Sequence, residues 1–181
     1  MLNFPSGYTA FSAITIFTNM LPNFLIIGAS KCGTTSLYNY LQQHPSILMS
    51  AVKEPHFLVH AGSLKKPFQG NRYLGHKPAV KTLVEYEALF SDYNGCETAL
   101  GEASTHYILH PDQVIPAIFD YVPDTRIIVV LRQPADRAFS AFTHSRRDGQ
   151  ERESDFNEVC NAAFRFQSPW EIPKNSGVCN P

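Results

Sequence analysis

The sequence predicts an α/β fold built as three layers, α/β/α, with a central parallel sheet. Two runs carry that reading, residues 23–28 (NFLIIG) and 126–131 (RIIVVL). Both are short and continuously apolar, the pattern of a strand buried on both faces. Each leads into a segment with helical spacing. Strands that alternate with helices pair in parallel, with the helices covering both faces of the sheet. Length and composition agree. The 181 residues make one domain or most of one, and 44% hydrophobic with 17% charged residues excludes a disordered or solvating chain.

The elements follow in order. Residues 1–22 read as an N-terminal extension, because the apolar run 10–21 is too short to span a bilayer and lacks the marks of a signal peptide. The first strand covers 23–28. A helix follows over 34–43, stopped before His44-Pro45. A short strand is expected at 47–49 and a surface loop over 61–79, which is rich in Gly, Lys and Pro. Apolar spacing predicts a helix over 80–91, then a turn at 92–95 and a strand over 98–102. Pro111 opens a helix over 111–121. The second clear buried strand is 126–131, followed by helices over 134–147 and 154–166, the last capped by Ser154 or Asp155. The tail is irregular.

Charge bounds the ligand. Lys+Arg 15 against Asp+Glu 16 leaves a net charge of −1, so there is no global basic field for nucleic acid and any anion must be held locally. The four cysteines, Cys32, Cys96, Cys160 and Cys179, have no metal-type spacing and are too few for a disulfide scaffold. They read as reduced thiols of a cytoplasmic protein; an oxidising compartment would instead allow a Cys160–Cys179 bridge.

The loop after the first strand carries the chemistry. It reads Gly28-Ala-Ser-Lys31-Cys32-Gly33-Thr34-Thr35-Ser36. Two glycines five apart, then hydroxyl residues opening a helix, form a backbone N–H cradle for an anion. Lys31 is the only formally charged side chain in the first 50 residues. A nucleoside triphosphatase loop would place its lysine where Thr34 stands, and would need an acid after the second strand to hold Mg²⁺. Arg132 stands there instead. A second anion suits that arrangement better than a metal. Arg132 sits at a strand end, Pro134 opens a helix facing the same edge, and Ser140 lies two turns in. Arg137 reads as a helix-face ion-pair residue, and Arg146 and Arg147 as a solvated helix end.

These residues resemble a family. Lys31 through Ser36 resembles the 5′-phosphosulfate loop of the sulfotransferases, and residues 132–140 (RQPADRAFS) their 3′-phosphate motif. Lys53-Glu54-Pro55-His56-Phe57 resembles the acidic segment of the carbohydrate branch, which includes the heparan sulfate sulfotransferases. The resemblance implies a P-loop-like fold and the donor 3′-phosphoadenosine 5′-phosphosulfate. It implies that Lys31, Cys32, Gly33, Thr34, Thr35 and Ser36 hold the 5′ side, and that Arg132 and Ser140 hold the 3′-phosphate. Lys31 would also neutralise the leaving phosphate, and Glu54 would be the general base that deprotonates a glycan-like acceptor. Lys53, His56 and Ser104 are expected on the acceptor side, with His56 a rival base. The family's lysine after the third-strand Glu is replaced by Ala103 after Glu102. Residues 23–181 are expected to be the N-terminal and central part of the domain, lacking a later Gly- and Tyr-bearing segment that closes over the nucleotide.

Two pairs of histidines, His56/His60 and His106/His110, have the spacing of a zinc site on a helix. Neither first His is followed by Glu, and Pro55 and Pro111 interrupt helix, so these read as pocket or surface residues and no metal is expected. The leading expectation is sulfuryl transfer to a carbohydrate-like hydroxyl or amine, with small-molecule partners, no nucleic acid and no membrane span. The alternatives are a truncated, non-catalytic nucleotide-binding fragment and a P-loop kinase.

Overall fold

The computed structural model describes residues 20–65 and 80–164. Most of the N-terminal extension, most of the 61–79 loop and the tail with Cys179 lie outside the described residues. The elements are β1 (Phe24–Gly28), α1 (Thr34–Leu41), β2 (Ile47–Met49), α2 (Phe57–Lys65), α3 (Leu83–Glu87), β3 (Ala99–Ala103), α4 (Pro111–Tyr121), β4 (Arg126–Val129), α5 (Pro134–Arg147) and α6 (Phe156–Phe164). Single 3-10 turns follow α3 and precede α4. The sheet order is β2-β3-β1-β4, and every pairing is parallel.

β1 lies inside the sheet and alternates its side chains between two cores. Leu25 packs with Phe57 and Leu58 of α2, Tyr86 of α3, Val114 of α4 and Tyr107 of the 3-10 turn before α4. Phe24 and Ile26 point the other way, to Tyr38 of α1, Met49 and Ala103. The α/β architecture therefore follows the sequence pattern. No helix among the described residues is long and apolar enough to cross a membrane. No disulfide joins described residues; Cys32 is buried and Cys96 exposed.

Two expectations need correction. The run 126–131 was expected to be buried on both faces. β4 instead stops at Val129, and Ile127, Val129 and Leu131 are exposed. Its described neighbour is β1 alone, so β4 is an edge strand; only Ile128 and Val130 turn to the core. The second correction is α2, which occupies residues left without an element before 61 and the start of the expected loop. Its sequence FLVHAGSLK is apolar around most of its circumference, because α2 is buried under α3 and α4. Such a helix shows no amphipathic period. Gly62 lowers helix propensity but is required by packing: a Cβ there would lie 1.9 Å from the Gln113 carbonyl oxygen of α4.

A buried carboxylate anchors the segment that opens α2. Glu102 on β3 has no exposed surface. The hydroxyls of Ser104, Tyr86 and Tyr107 donate to it at 2.5, 2.6 and 2.9 Å. Ser104 Oγ in turn accepts from the His56 N–H at 3.3 Å, and the Tyr107 hydroxyl from the Leu58 N–H at 3.2 Å. Backbone donors that a helix start leaves unpaired are thus tied to one acid. Burial pushes the Glu102 carboxyl up to about 7, against the pull of its three hydroxyl donors.

Two outcomes are expected. Gly62→Ala forces α2 and α4 apart and should destabilise the fold by about 1–3 kcal/mol in urea denaturation; unchanged stability would contradict the close approach. Glu102 binds its proton up to about pH 7 in the fold but only to 4.5 when exposed. Its contribution is therefore full below pH 4.5 and declines as pH rises through 7, by roughly 3 kcal/mol. Glu102→Gln should flatten that decline in denaturation midpoints taken between about pH 5 and about pH 8. Glu54, held down at about 2, changes stability only below pH 4.5 and does not interfere. A decline of equal slope in the variant would refute the assignment.

Candidate functional site

The loop from β1 to α1 is set by backbone geometry. The Ala29 N–H donates to the Val130 carbonyl at 2.8 Å, and the Val130 N–H to the Gly28 carbonyl at 2.8 Å. The exits of β1 and β4 are thereby fastened side by side. Lys31 takes φ 65° and Gly33 φ 93°, so the chain turns tightly into α1. At Gly33 that φ favours glycine over any side chain. Gly33 caps α1 without a side-chain hydrogen bond. The first N–H groups of α1 therefore remain available to an anion, at the positive end of the helix dipole. Arg137 donates from Nε to the Ser30 carbonyl at 3.1 Å, tying α5 to the loop rather than serving only as a surface charge.

The second wall comes from β4 and α5. Gln133 caps α5, its side chain accepting from the Asp136 N–H at 2.9 Å, with Pro134 in the first turn. Arg132, Ser140 and His144 line the same cleft as the loop. The sequence reading missed His144. The signal available was its spacing four residues beyond Ser140, which puts both on one face of α5. His144 Nδ1 lies 3.1 Å from Asp148 Oδ2. Burial lowers its pKa, aided by the charge of Lys31. Lys31 is lowered in turn, by burial first and then by Arg147.

The third wall is Lys53, Glu54 and Thr105. The Glu54 N–H donates to the Ala103 carbonyl at 2.9 Å, bringing the acidic segment to the end of β3. Glu54 Oε2 accepts from the Thr105 N–H at 2.8 Å; Oε1 accepts from Thr105 Oγ1 at 3.1 Å and from Lys53 Nζ at 2.6 Å. Burial of the carboxyl disfavours its charge. The attraction of His106, Lys53 and the Thr105 N–H outweighs burial and holds the pKa at about 2. Lys53 and Thr105 are in direct contact, whereas His106 Nδ1 stands 3.9 Å from Oε2 and acts across a gap. Thr105 was not singled out as a site residue, although the 102–107 region was expected to shape the acceptor pocket; it lies two residues beyond β3, next to Ser104.

Lys31, Glu54 and His56 are the described non-glycine residues with positive φ, at 65°, 62° and 57°. All three belong to this region, where backbone strain of order 1 kcal/mol or more each is held by the surrounding contacts.

The cleft has a volume of about 380 Å³ and brings together Lys31, Gly33, Thr34, Thr35, Lys53, Glu54, Arg132 and Ser140. Other candidates stand elsewhere. Cys32 is buried, its thiol donating to the Ser30 carbonyl at 3.6 Å. Ser36 is exposed on α1 and does not line the cleft. His56 is buried behind Glu54, and Ser104 is fully buried against Glu102 beneath the site. Chemically, the cleft offers two cationic grips at adjacent strand ends and one ionised carboxylate across from them. That suits an extended ligand anionic at two points, with a further group presented to Glu54.

Comparison with known proteins agrees with this geometry. Residues 22–170 match the Sulfotransferase family. The chain is 34% identical to bifunctional heparan sulfate N-deacetylase/N-sulfotransferase 4 of Mus musculus, over 70% of this chain and 13% of that protein. It is 25% identical to carbohydrate sulfotransferase 15 of Mus musculus, over 81% of this chain and 31% of that one. The chain thus spans less than a third of the length of these two relatives. The crystal structure of a sulfotransferase from Alicyclobacillus acidocaldarius superposes with a TM-score of 0.62 at 38% identity, covering 79% of this chain and 57% of that one. The match runs from before β1 to beyond α6, through every wall of the cleft, and the chain belongs to the sulfotransferase family.

Proposed function

We propose that the chain moves a sulfuryl group from 3′-phosphoadenosine 5′-phosphosulfate to a hydroxyl or amine of a carbohydrate-like acceptor, with Glu54 as general base. The observation that carries this reading is the single cleft shared by Lys31, Arg132 and Glu54. The donor is anionic at both ends. Its 5′-phosphosulfate suits the uncapped start of α1 and Lys31. Its 3′-phosphate suits the planar fork of Arg132 and the Ser140 hydroxyl. The glycan-sulfating relatives support an acceptor that presents a sugar hydroxyl or amine.

In the proposed reaction the acceptor atom attacks sulfur while the bond from sulfur to the 5′-phosphate oxygen breaks. Negative charge grows on the departing phosphate. Lys31 and the N–H groups of α1 stabilise it there, with little reorganisation. Glu54 takes the proton the acceptor loses. Its carboxyl is ionised at neutral pH but holds a proton weakly, with a pKa of about 2. Transfer to it therefore accompanies attack, when the bond to sulfur has made that proton acidic. The scheme routes no step through a metal.

Lys31→Ala and Arg132→Ala should each weaken adenosine 3′,5′-bisphosphate binding by roughly tenfold or more in calorimetry, as loss of a charge-assisted hydrogen bond predicts. Unchanged affinity in both variants would overturn the reading. Glu54→Gln should leave that affinity intact while sulfuryl transfer falls by roughly 10²–10⁴. Retained turnover would move the base role to another group. Nucleotide binding with no transfer by the 181-residue chain would favour the non-catalytic alternative.

A further inference from the structure

The two histidine pairs of the sequence combine across segments rather than within them. Glu54, His56 and His106 each offer a ligand atom, and these atoms all lie within 4.8 Å of one another. Glu54 Oε2 is 4.0 Å from His56 Nδ1 and 3.9 Å from His106 Nδ1. The two imidazoles meet edge to face, with centroids 4.8 Å apart. We propose that Glu54, His56 and His106 form a binding site for a divalent cation of borderline softness, with Zn²⁺ as the best match.

Two imidazole nitrogens and one carboxylate oxygen make a donor set common to zinc sites with an open position. Mg²⁺ and Ca²⁺ prefer all-oxygen shells and are disfavoured here. Ligands around a tetrahedral Zn²⁺ stand about 3.4 Å apart, so small torsional changes close the observed spacing onto an ion. The carboxylate is divided between two tasks. Oε1 accepts from Lys53 Nζ at 2.6 Å and from Thr105 Oγ1 at 3.1 Å, while Oε2 accepts from the Thr105 N–H at 2.8 Å and has its second lone pair for an ion held between it and the imidazoles, 4.0 and 3.9 Å away. Lys53 opposes a cation, but its contact is with the other oxygen.

The scaffold under the cluster is rigid. The Glu54 N–H bonds the Ala103 carbonyl and the His56 N–H bonds Ser104 Oγ, so residues 54–56 are fastened to the segment that carries His106. Pre-placed ligands lower the ordering cost of binding. His56 is 4% exposed at its side chain, Glu54 16% and His106 27%, so an ion enters past His106 into a largely dehydrated niche.

An ion here occupies the oxygen lone pair of Glu54, so it would switch sulfuryl transfer off. That consequence rests on Glu54 acting as base; binding itself does not.

The test uses the 181-residue chain. Zn²⁺ affinity is measured by competition with a chromogenic chelator, and Co²⁺ is used as the visible-absorption probe. One ion per chain is expected, with the d–d bands of a low-coordinate nitrogen and oxygen site. His106→Ala and the more conservative His106→Gln should each weaken Zn²⁺ by roughly tenfold or more. Both should retain the native circular dichroism spectrum and adenosine 3′,5′-bisphosphate binding, because His106 does not line the donor cleft. No binding below millimolar Zn²⁺ would overturn the proposal, as would unchanged affinity in a folded His106→Gln chain. Intense near-ultraviolet charge transfer with Co²⁺ would also overturn it, since that signals cysteine ligation. Tight binding that leaves sulfuryl transfer unaffected would uphold the site and remove Glu54 as the base.

Discussion

The parallel pairing of β1 with β4 is the constraint on which the cleft depends. Phe24 pairs with Arg126 and Ile26 with Ile128, and the reciprocal bonds between the Gly28 and Val130 peptides carry the pairing to the strand exits. Parallel strands end on the same edge of their sheet, and ligands of such sheets gather there. The loop holding Lys31 and the turn holding Arg132 must therefore emerge as neighbours, although 100 residues separate them in the chain. The bond from Arg137 to the Ser30 carbonyl draws α5 onto that loop and adds Ser140 and His144 to the wall.

The third wall depends on polar burial. Glu102 takes three hydroxyl hydrogen bonds in a fully buried position, and two of those hydroxyls receive backbone N–H groups at the start of α2. A buried acid of this kind is a poor source of stability, since desolvation offsets what its partners contribute. Its effect is positional. It fixes residues 56–58, and with them the strained turn that presents Glu54. The fold thus sustains backbone strain at Glu54 and His56 through contacts that lie below the cleft, out of reach of an acceptor.

Two carboxylates in this small region have opposite environments. Glu102 is surrounded by neutral hydroxyls and aromatic rings, and its proton is held up to about 7. Glu54 touches an ammonium and a backbone N–H, and its proton is lost by about 2. The difference separates their roles. Glu102 can remain neutral in the core, while Glu54 keeps its charge at the surface of the cleft. A charge held next to two imidazoles also makes Glu54 the natural centre of a cation site.

The sequence by itself determined the α/β class, the order of the strands and of the helices other than α2, and the two cationic segments that line the cleft. Those are local: an apolar strand, a glycine-bounded loop with one lysine, and a helix-opening proline each write their geometry within a few residues. Pro111–Tyr121 and Pro134–Arg147 were legible to the residue for that reason. Tertiary structure alone decided the rest. It made α2 a helix because α3 and α4 cover it, which erases the amphipathic period a surface helix would show. Among the described residues it left Ile127 and Val129 exposed on one face of β4, the outer described strand, a placement an apolar run does not encode. It buried Ser104 beneath the site and brought Thr105 and His144 into the cleft. It paired His56 with His106 instead of His60, because β3 lies beside the turn before α2, and contacts between distant segments leave no spacing in the chain to be read.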